Sequence, residues 1–162
     1  LNERAIAYWG DRGFPESHVD AVHQVSDLPS DHGKRLAALR AFAESPEAPA
    51  LAAANKRVSN ILKKVLKKID GQIDDSLLVE SAEIALAKAL RNLAPRAESA
   101  AHSGDYAESL RILAALKAPV DAFFDGVMVN VDDPDLLRNR LGLLASLRAT
   151  MNRVADLSKL AT

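Results

Sequence analysis

The residue run with the clearest chemistry is KRVSNILKKVLKK, residues 56–68, in which six of thirteen side chains are lysine or arginine. Residues 56–71 carry six basic side chains and one acidic, although the whole chain has a formal net charge of -1. Such a local excess of positive charge can bind phosphate groups, because their neutralisation releases condensed counterions. Arginine and asparagine can also hydrogen-bond base edges. The run therefore indicates a surface suited to phosphate.

Helical periodicity places these charges on one face. At ~100° per residue, the apolar side chains of this segment share the opposite face. They are Val58, Ile61, Leu62, Val65, Leu66 and Ile69. The charged face carries what we call the basic ridge, which comprises Lys56, Arg57, Asn60, Lys63, Lys64, Lys67 and Lys68. We predict an amphipathic helix that packs through its apolar face and exposes the basic ridge to solvent.

Two other interpretations of the basic ridge stay open. Exposed lysines can serve solubility alone, although like charges three and four residues apart repel by about 0.2–0.5 kcal/mol per pair. The ridge could also bind an acidic protein surface, in which case the chain is a non-catalytic helical protein-interaction module. A membrane-surface helix is disfavoured, because the apolar face of this segment has no aromatic side chain.

The rest of the sequence is expected to hold this helix in an all-α helical bundle. Apolar residues make up 48% of the 162, aromatic residues only 4%, and there are seven glycines, a composition that favours helix. A first short helix should end at Gly10 or Gly13, and Ser30 or Asp31 should cap the third. The third helix should end at Phe42 or Glu44, and the fifth should run from Leu77 or Val79 to Ala101. The other helices are predicted over residues 16–25, 47–68, 106–116, 119–129 and 136–160.

Three finer expectations accompany these helices. Gly71 is expected to end the fourth helix, as glycine often does just beyond a helix C-terminus. In the fifth helix, Ile84 is expected to join Leu86, Leu90 and Leu93 in the core, and Pro95 to kink or split it.

We expect one helical domain over residues 1–162, and an alternative division sets residues 1–45 apart as a smaller preceding segment. The chain lacks an initiator methionine and a signal peptide pattern, so we expect it to be a fragment of a longer protein. Cysteine is absent, which rules out disulfides and suits a reducing compartment. No apolar run approaches the ~18 residues of a membrane span.

Several segments resemble a known family. AANKRVSNILKK, which ends at residue 64, resembles a helix of the DALR anticodon-binding domain, which arginyl-tRNA synthetases share with the beta subunit of bacterial glycyl-tRNA synthetases. The beta-subunit form is the more similar. IDDSLLVESAEIALAKAL, 73–90, resembles its central helix. GDYAESLRILAALKAPVDAFFDGVMVNVDDPDLLRNRLGLLASL, 104–147, has the family's order and spacing. The chain departs from the family pattern at Asn130 and, beyond this segment, at Thr150 and Met151.

This resemblance implies a function. The parent enzyme would use ATP and Mg²⁺ to attach glycine to its tRNA in the cytoplasm, with catalysis that depends on an alpha subunit. This part would bind glycine tRNA at the anticodon, with no catalytic residue, no metal site and no cofactor of its own. Unpaired bases on a phosphate backbone require cations and planar or amide groups. The seven residues of the basic ridge are therefore the predicted RNA-binding residues.

Other candidate groups are weaker. Arg138, Asn139 and Arg140 form a second polar group, for which ion pairing with nearby acids is the favoured role. Phe123 and Phe124 are adjacent and cannot point the same way on one helix, so we expect one to be only partly buried. The histidines and aspartates lack metal-ligand spacing, and we expect no catalytic site.

Overall fold

The structure, a computed structural model, describes residues 2–65 and 68–161. In these ranges the chain forms α-helices and short 3₁₀ turns and no β-strand, so the predicted all-α bundle is confirmed. The α-helices are α1 (Glu3–Gly10), α2 (Glu16–His23), α3 (Pro29–Ala43), α4 (Ala48–Lys63), α5 (Ser81–His102), α6 (Tyr106–Leu113), α7 (Lys117–Gly126) and α8 (Pro134–Met151). The 3₁₀ turns are Asp75–Leu77, Ala114–Leu116 and Leu157–Leu160. None of the described helices is both long and apolar enough to span a bilayer.

Helix α5 packs against α6, α7 and α8, and α4 packs against α7 and α8. Leu86, Leu90 and Leu93 of α5 are buried as predicted. The prediction that Ile84 joins them is wrong, because Ile84 is 49% exposed. The preceding residue, Glu83, is fully buried, and one residue turns a helix by about 100°, which directs Ile84 to solvent.

The largest difference from expectation is the end of α4. The helix ends at Lys63 rather than Lys68, and Gly71 does not cap it. Residues 66 and 67 lie outside the described residues, and from Lys68 to Asp74 the chain is not helical.

Beyond these two residues the chain lies against α8, where the Asn139 side chain accepts a hydrogen bond from the Asp74 N–H (2.7 Å) and donates one to the Asp74 carbonyl (3.1 Å). The Gln72 carbonyl also lies against the backbone of Gly142 in α8. Packed helices keep their axes 8–10 Å apart, so this backbone contact favours a non-helical chain at residue 72.

The C-terminal part also departs from prediction, since α8 ends at Met151 and not near residue 160. The Asn152 side-chain oxygen accepts a hydrogen bond from the Leu157 N–H (3.0 Å), which turns the chain after the helix. The Asp156 N–H then donates to the carbonyl of Ala21 in α2 (2.8 Å). These two bonds return the C-terminal segment to the N-terminal helices, which a continued helix could not do.

Three other helix ends differ less. Helix α3 begins at Pro29 without a side-chain cap, so Ser30 and Asp31 lie inside it. Proline has a backbone angle suited to the first helical turn and needs no hydrogen-bond partner there. Helix α7 ends at Gly126, three residues early. Helix α5 begins at Ser81 and continues through Pro95, which is exposed, so the carbonyl that proline leaves without a partner is near water.

Gly142→Ala is expected to lower the free energy of unfolding by about 1–3 kcal/mol, as overpacking does. Gly142 lies in α8 directly beneath Gln72, and an added Cβ would overlap the Gln72 carbonyl oxygen. Backbone cannot rotate away as a flexible side chain can, so this cost exceeds the about 1 kcal/mol that alanine gains in helix propensity. Urea denaturation of the two proteins measures the difference.

Gly10→Ala is the matched control, because nothing lies within 4 Å of the Cβ added at that position of α1. We expect it to leave stability unchanged or slightly raised. Equal stability of both variants would contradict the close contact of residue 72 with α8.

Candidate nucleic-acid interface

Helix α4 is anchored so that one face must point to solvent. Val58 is fully buried, and the polar side chains of Asn55 and Ser59 are buried beside it. Asn55 Nδ2 donates a hydrogen bond of 2.6 Å to the side-chain oxygen of Asn152, just after α8. A hydrogen bond between two side chains is directional, so this partly buried bond restrains the rotation of α4 about its axis.

The face opposite this anchor carries most of the basic ridge. Lys56, Arg57, Asn60, Lys63 and Lys64 are all exposed, and they extend over about 12 Å of α4 and its C-cap at 1.5 Å per residue. The predicted exposure of these five side chains is confirmed.

The end of the ridge differs from the prediction. Lys68 is exposed but lies beyond the end of α4, in the non-helical segment, so it does not share the helical face. Lys67 lies outside the described residues. The structure therefore brings together five of the seven predicted residues on one helical surface, and their role in RNA binding stays a prediction.

The described cations of the ridge lie side by side and are not ion-paired. In the parts of the chain that the structure describes, none of Lys56, Arg57, Lys63, Lys64 and Lys68 lies within ion-pair distance of a carboxylate. Other basic side chains do form ion pairs: Arg35, Arg91, Arg111, Lys117, Arg138, Arg140, Arg153 and Lys159. Seven basic side chains elsewhere in the chain also form no ion pair within the described residues: Arg4, Arg12, Lys34, Arg40, Lys88, Arg96 and Arg148. What sets the ridge apart is the grouping of such cations on one helix. The ridge thus presents charge that the fold does not neutralise, the condition under which phosphate binding gains most from counterion release.

Arg57 has an aromatic neighbour that sequence reasoning missed. Its guanidinium carbon lies 4.4 Å from the ring centre of Phe124 in α7, within cation–π range. Phe124 is partly buried, whereas Phe123 is fully buried, so the expectation that one ring of the pair is only partly buried is confirmed. Nothing in the sequence indicated that α4 and α7 are neighbours, which is the information needed to pair Arg57 with Phe124.

A cleft of about 890 Å³ lies between the C-terminal half of α4 and the segment that joins α7 to α8. Arg57 and Lys64 line it from α4, together with the apolar side chain of Ile61. Phe124 and Met128 line the other side, and Met128 is 71% exposed. The cleft is therefore continuous with the ridge, apolar within and basic at its α4 side.

The second polar group has a structural role, as the sequence favoured. Arg140 is buried and donates two hydrogen bonds to the buried Glu83 carboxylate, from Nε (3.0 Å) and Nη2 (2.9 Å). These bonds raise the pKa of the Arg140 guanidinium above its ordinary value. Arg138 forms an ion pair with Asp135 at the surface (3.0 Å), and the Asn139 side chain is hydrogen-bonded to the main chain of Asp74. Asn139 and Arg140 are thus committed to contacts within the fold, whereas Arg138 is exposed and pairs only at the surface.

Within the described ranges no three His, Asp or Glu side chains are placed to hold a metal ion. Along α4 the exposed surface offers cations, an amide and an arginine–aromatic pair, which are groups suited to binding.

Comparison with known proteins agrees with this character. The model of the family described as DALR anticodon binding domain matches residues 51–161, which include α4 from Leu51 onward and the whole ridge. The chain is 58% identical over 163 residues to the glycine–tRNA ligase beta subunit of Dechloromonas aromatica (strain RCB). The matched region covers 99% of this chain and 23% of that protein. The corresponding subunit of Delftia acidovorans is 57% identical over 162 residues, with the same two coverages. That of Thiobacillus denitrificans is 55% identical over 160 residues.

The chain thus spans about a quarter of the length of these curated relatives, 23% in each of the three. The family match includes more than half of this chain, and the helical fold agrees with the match. The chain belongs to the DALR anticodon-binding domain family.

Proposed function

We propose that this chain is the anticodon-binding domain of a glycine–tRNA ligase beta subunit and that it binds glycine tRNA through the basic ridge of α4. The observation that carries the proposal is the row of cations on α4 that no described carboxylate neutralises, within the family-matched residues 51–161. The relatives are glycine–tRNA ligase beta subunits, which supports the assignment to this enzyme.

The activity of the longer protein is part of the same proposal. It would attach glycine to tRNA with ATP and Mg²⁺, and catalysis would lie outside this chain and depend on an alpha subunit. This chain would supply binding alone, in the cytoplasm. Its contribution to the reaction is then positional, because holding the tRNA at one end lowers the entropy cost of placing the reacting end elsewhere.

The residues divide into two roles in this proposal. Lys56, Lys63 and Lys64 neutralise backbone phosphates, a contribution that does not depend on base sequence. Arg57 and Asn60 lie between these lysines. Both side chains carry hydrogen-bond donors, and asparagine also carries an acceptor, so both can bond to base edges. An anticodon loop presents both kinds of group, since its bases are unpaired and its backbone bends.

Lys63→Glu with Lys64→Glu is expected to weaken binding of the chain to glycine tRNA by about ten- to a hundredfold. Each substitution replaces attraction to phosphate by repulsion. If each lysine contacts one phosphate of the single-stranded loop, the slope of log Kobs against log salt becomes shallower by about 1.4. Binding measured by fluorescence anisotropy across a salt series gives both quantities.

Lys34→Glu with Lys88→Glu is the matched control. Both lysines are exposed on other helices, α3 and α5, and the change in net charge is identical. The control is expected to keep most of the affinity. Equal losses in both double variants would mean that net charge alone governs binding, which contradicts the assignment to the ridge.

The same measurement separates this function from a protein-interaction module, the other reading of the ridge. An anticodon binder must lose affinity when the anticodon loop is removed from the tRNA. Wild-type chain that binds no tRNA at any salt concentration, but binds an acidic protein through Lys63 and Lys64, would overturn the proposal.

A further inference from the structure

The cleft beside Phe124 has a composition that phosphate binding does not explain. Lys64 and Arg57 at its α4 side suit phosphate, but its interior is formed by apolar groups, among them Ile61, Val127 and Val129. A cleft with apolar walls and a few polar groups at its edge is typical of a small-molecule or base-sized ligand. At about 890 Å³ it has ample room for a planar heterocycle.

Arg57 and Phe124 together form a stacking surface next to this interior. The guanidinium is held 4.4 Å from the ring centre, so its conformation is restrained before any ligand binds. Unpaired RNA bases stack on aromatic rings and on arginine planes. Lysine cannot take this role, because its ammonium group is not planar.

Two further groups give the cleft polar edges. Asp125 and Asn130 line it beside Met128, so a carboxylate acceptor and an amide lie near the apolar interior. A base that enters could pair its edge with these groups while its face remains in apolar contact. The cationic side of the cleft is continuous with the ridge, which complements the phosphates on either side of such a base.

We propose that this cleft binds one unpaired base of an RNA loop, stacked on the Arg57–Phe124 pair and packed against Met128. The inference rests on the proposed function, since it assigns a base-binding position to the same surface. It separates two contributions: the lysines of the ridge bind backbone, and the cleft binds a base.

The experiment is a set of double-mutant cycles, in which binding affinity is measured for each protein variant with intact and with abasic RNA. Arg57→Lys keeps the charge and removes the plane, and Phe124→Leu keeps an apolar side chain and removes the ring. The RNA is the anticodon stem-loop of glycine tRNA, with each loop nucleotide in turn made abasic. Arg96→Lys, at an exposed position of α5, is the matched control.

We expect Arg57→Lys and Phe124→Leu each to weaken binding of the intact stem-loop by about tenfold, the scale of one lost base stack. At one loop position the abasic RNA should bind the wild type and both variants alike, because the stacked base is already absent. Arg96→Lys should bind every RNA as the wild type does. Thermal unfolding of each variant confirms that it is folded.

The outcomes distinguish the two proposals. If both variants bind all RNAs as tightly as the wild type while Lys63→Glu with Lys64→Glu loses binding, the cleft holds no base and only the present inference is wrong. The cleft would then belong to another occupant, such as a protein segment. If the wild type binds no stem-loop and no tRNA, the proposed function fails and the inference fails with it.

Discussion

Arg140→Ala is expected to lower the free energy of unfolding by about 3–5 kcal/mol, because it breaks a buried ion pair and leaves one charge behind. Arg140 is 4% exposed and its partner Glu83 is fully buried. Removing the arginine leaves a buried carboxylate without its bidentate partner, and the remaining hydrogen bond from the Glu80 N–H (3.0 Å) cannot replace it. It also leaves the Met128 carbonyl without the bond from Arg140 Nη1 (2.6 Å).

Arg138→Ala provides the comparison, because the two arginines lie two residues apart on α8. The Arg138–Asp135 pair has side chains 70% and 61% exposed, and a surface pair of this kind contributes about 0–1 kcal/mol. Urea denaturation is the suitable measurement, since guanidinium chloride would screen both pairs. Losses of similar size in the two variants would contradict a buried, desolvated pair at Glu83.

Phe123→Ala is expected to cost about 3–5 kcal/mol of stability, because it removes a fully buried ring and leaves a cavity in the core. Phe123 contacts Phe124 edge to face, with ring centres 5.4 Å apart. Such a contact contributes roughly 0.5–1.5 kcal/mol of stability beyond the contribution from buried apolar area. The loss should appear as a lower urea midpoint with the same denaturant slope.

Phe124→Ala is the matched substitution on the neighbouring residue. Phe124 is only partly buried, so less apolar area is lost and solvent can fill the space. We expect its cost to be well below that of Phe123→Ala. A cost for Phe124→Ala as large as that for Phe123→Ala would mean that the ring supports the core, and Phe124 could not then serve as a surface for stacking.

The helical class and the exposed face of α4 could be predicted because both depend on local order in the sequence. Alternation of apolar and charged side chains at helical spacing is readable from residue 56 to residue 64, and five of the ridge side chains are exposed as it indicates. The burial of one phenylalanine of the adjacent pair also follows from helix geometry alone.

What could not be predicted depends on contacts between distant residues. The apolar pattern continues to Ile69, yet α4 ends at Lys63, and the later segment at Asp74 is bound to Asn139 of α8, 65 residues further along the chain. Ile84 has the pattern of a core residue, but the burial of Glu83 for Arg140 turns it outward. The stacking of Arg57 on Phe124 likewise requires the packing of α4 against α7, which no local signal encodes.

The hydrogen bond from Arg140 to Met128 affects more than stability. Through it, the segment that forms one wall of the cleft is tied to the buried Glu83 carboxylate, and so to α5 and α8. Ordering a loop residue on binding costs about 1–2 kcal/mol of conformational entropy, and here the fold itself has already restricted that segment. A ligand that enters the cleft therefore meets a wall whose backbone is fixed in advance, and more of its contact energy is retained as affinity.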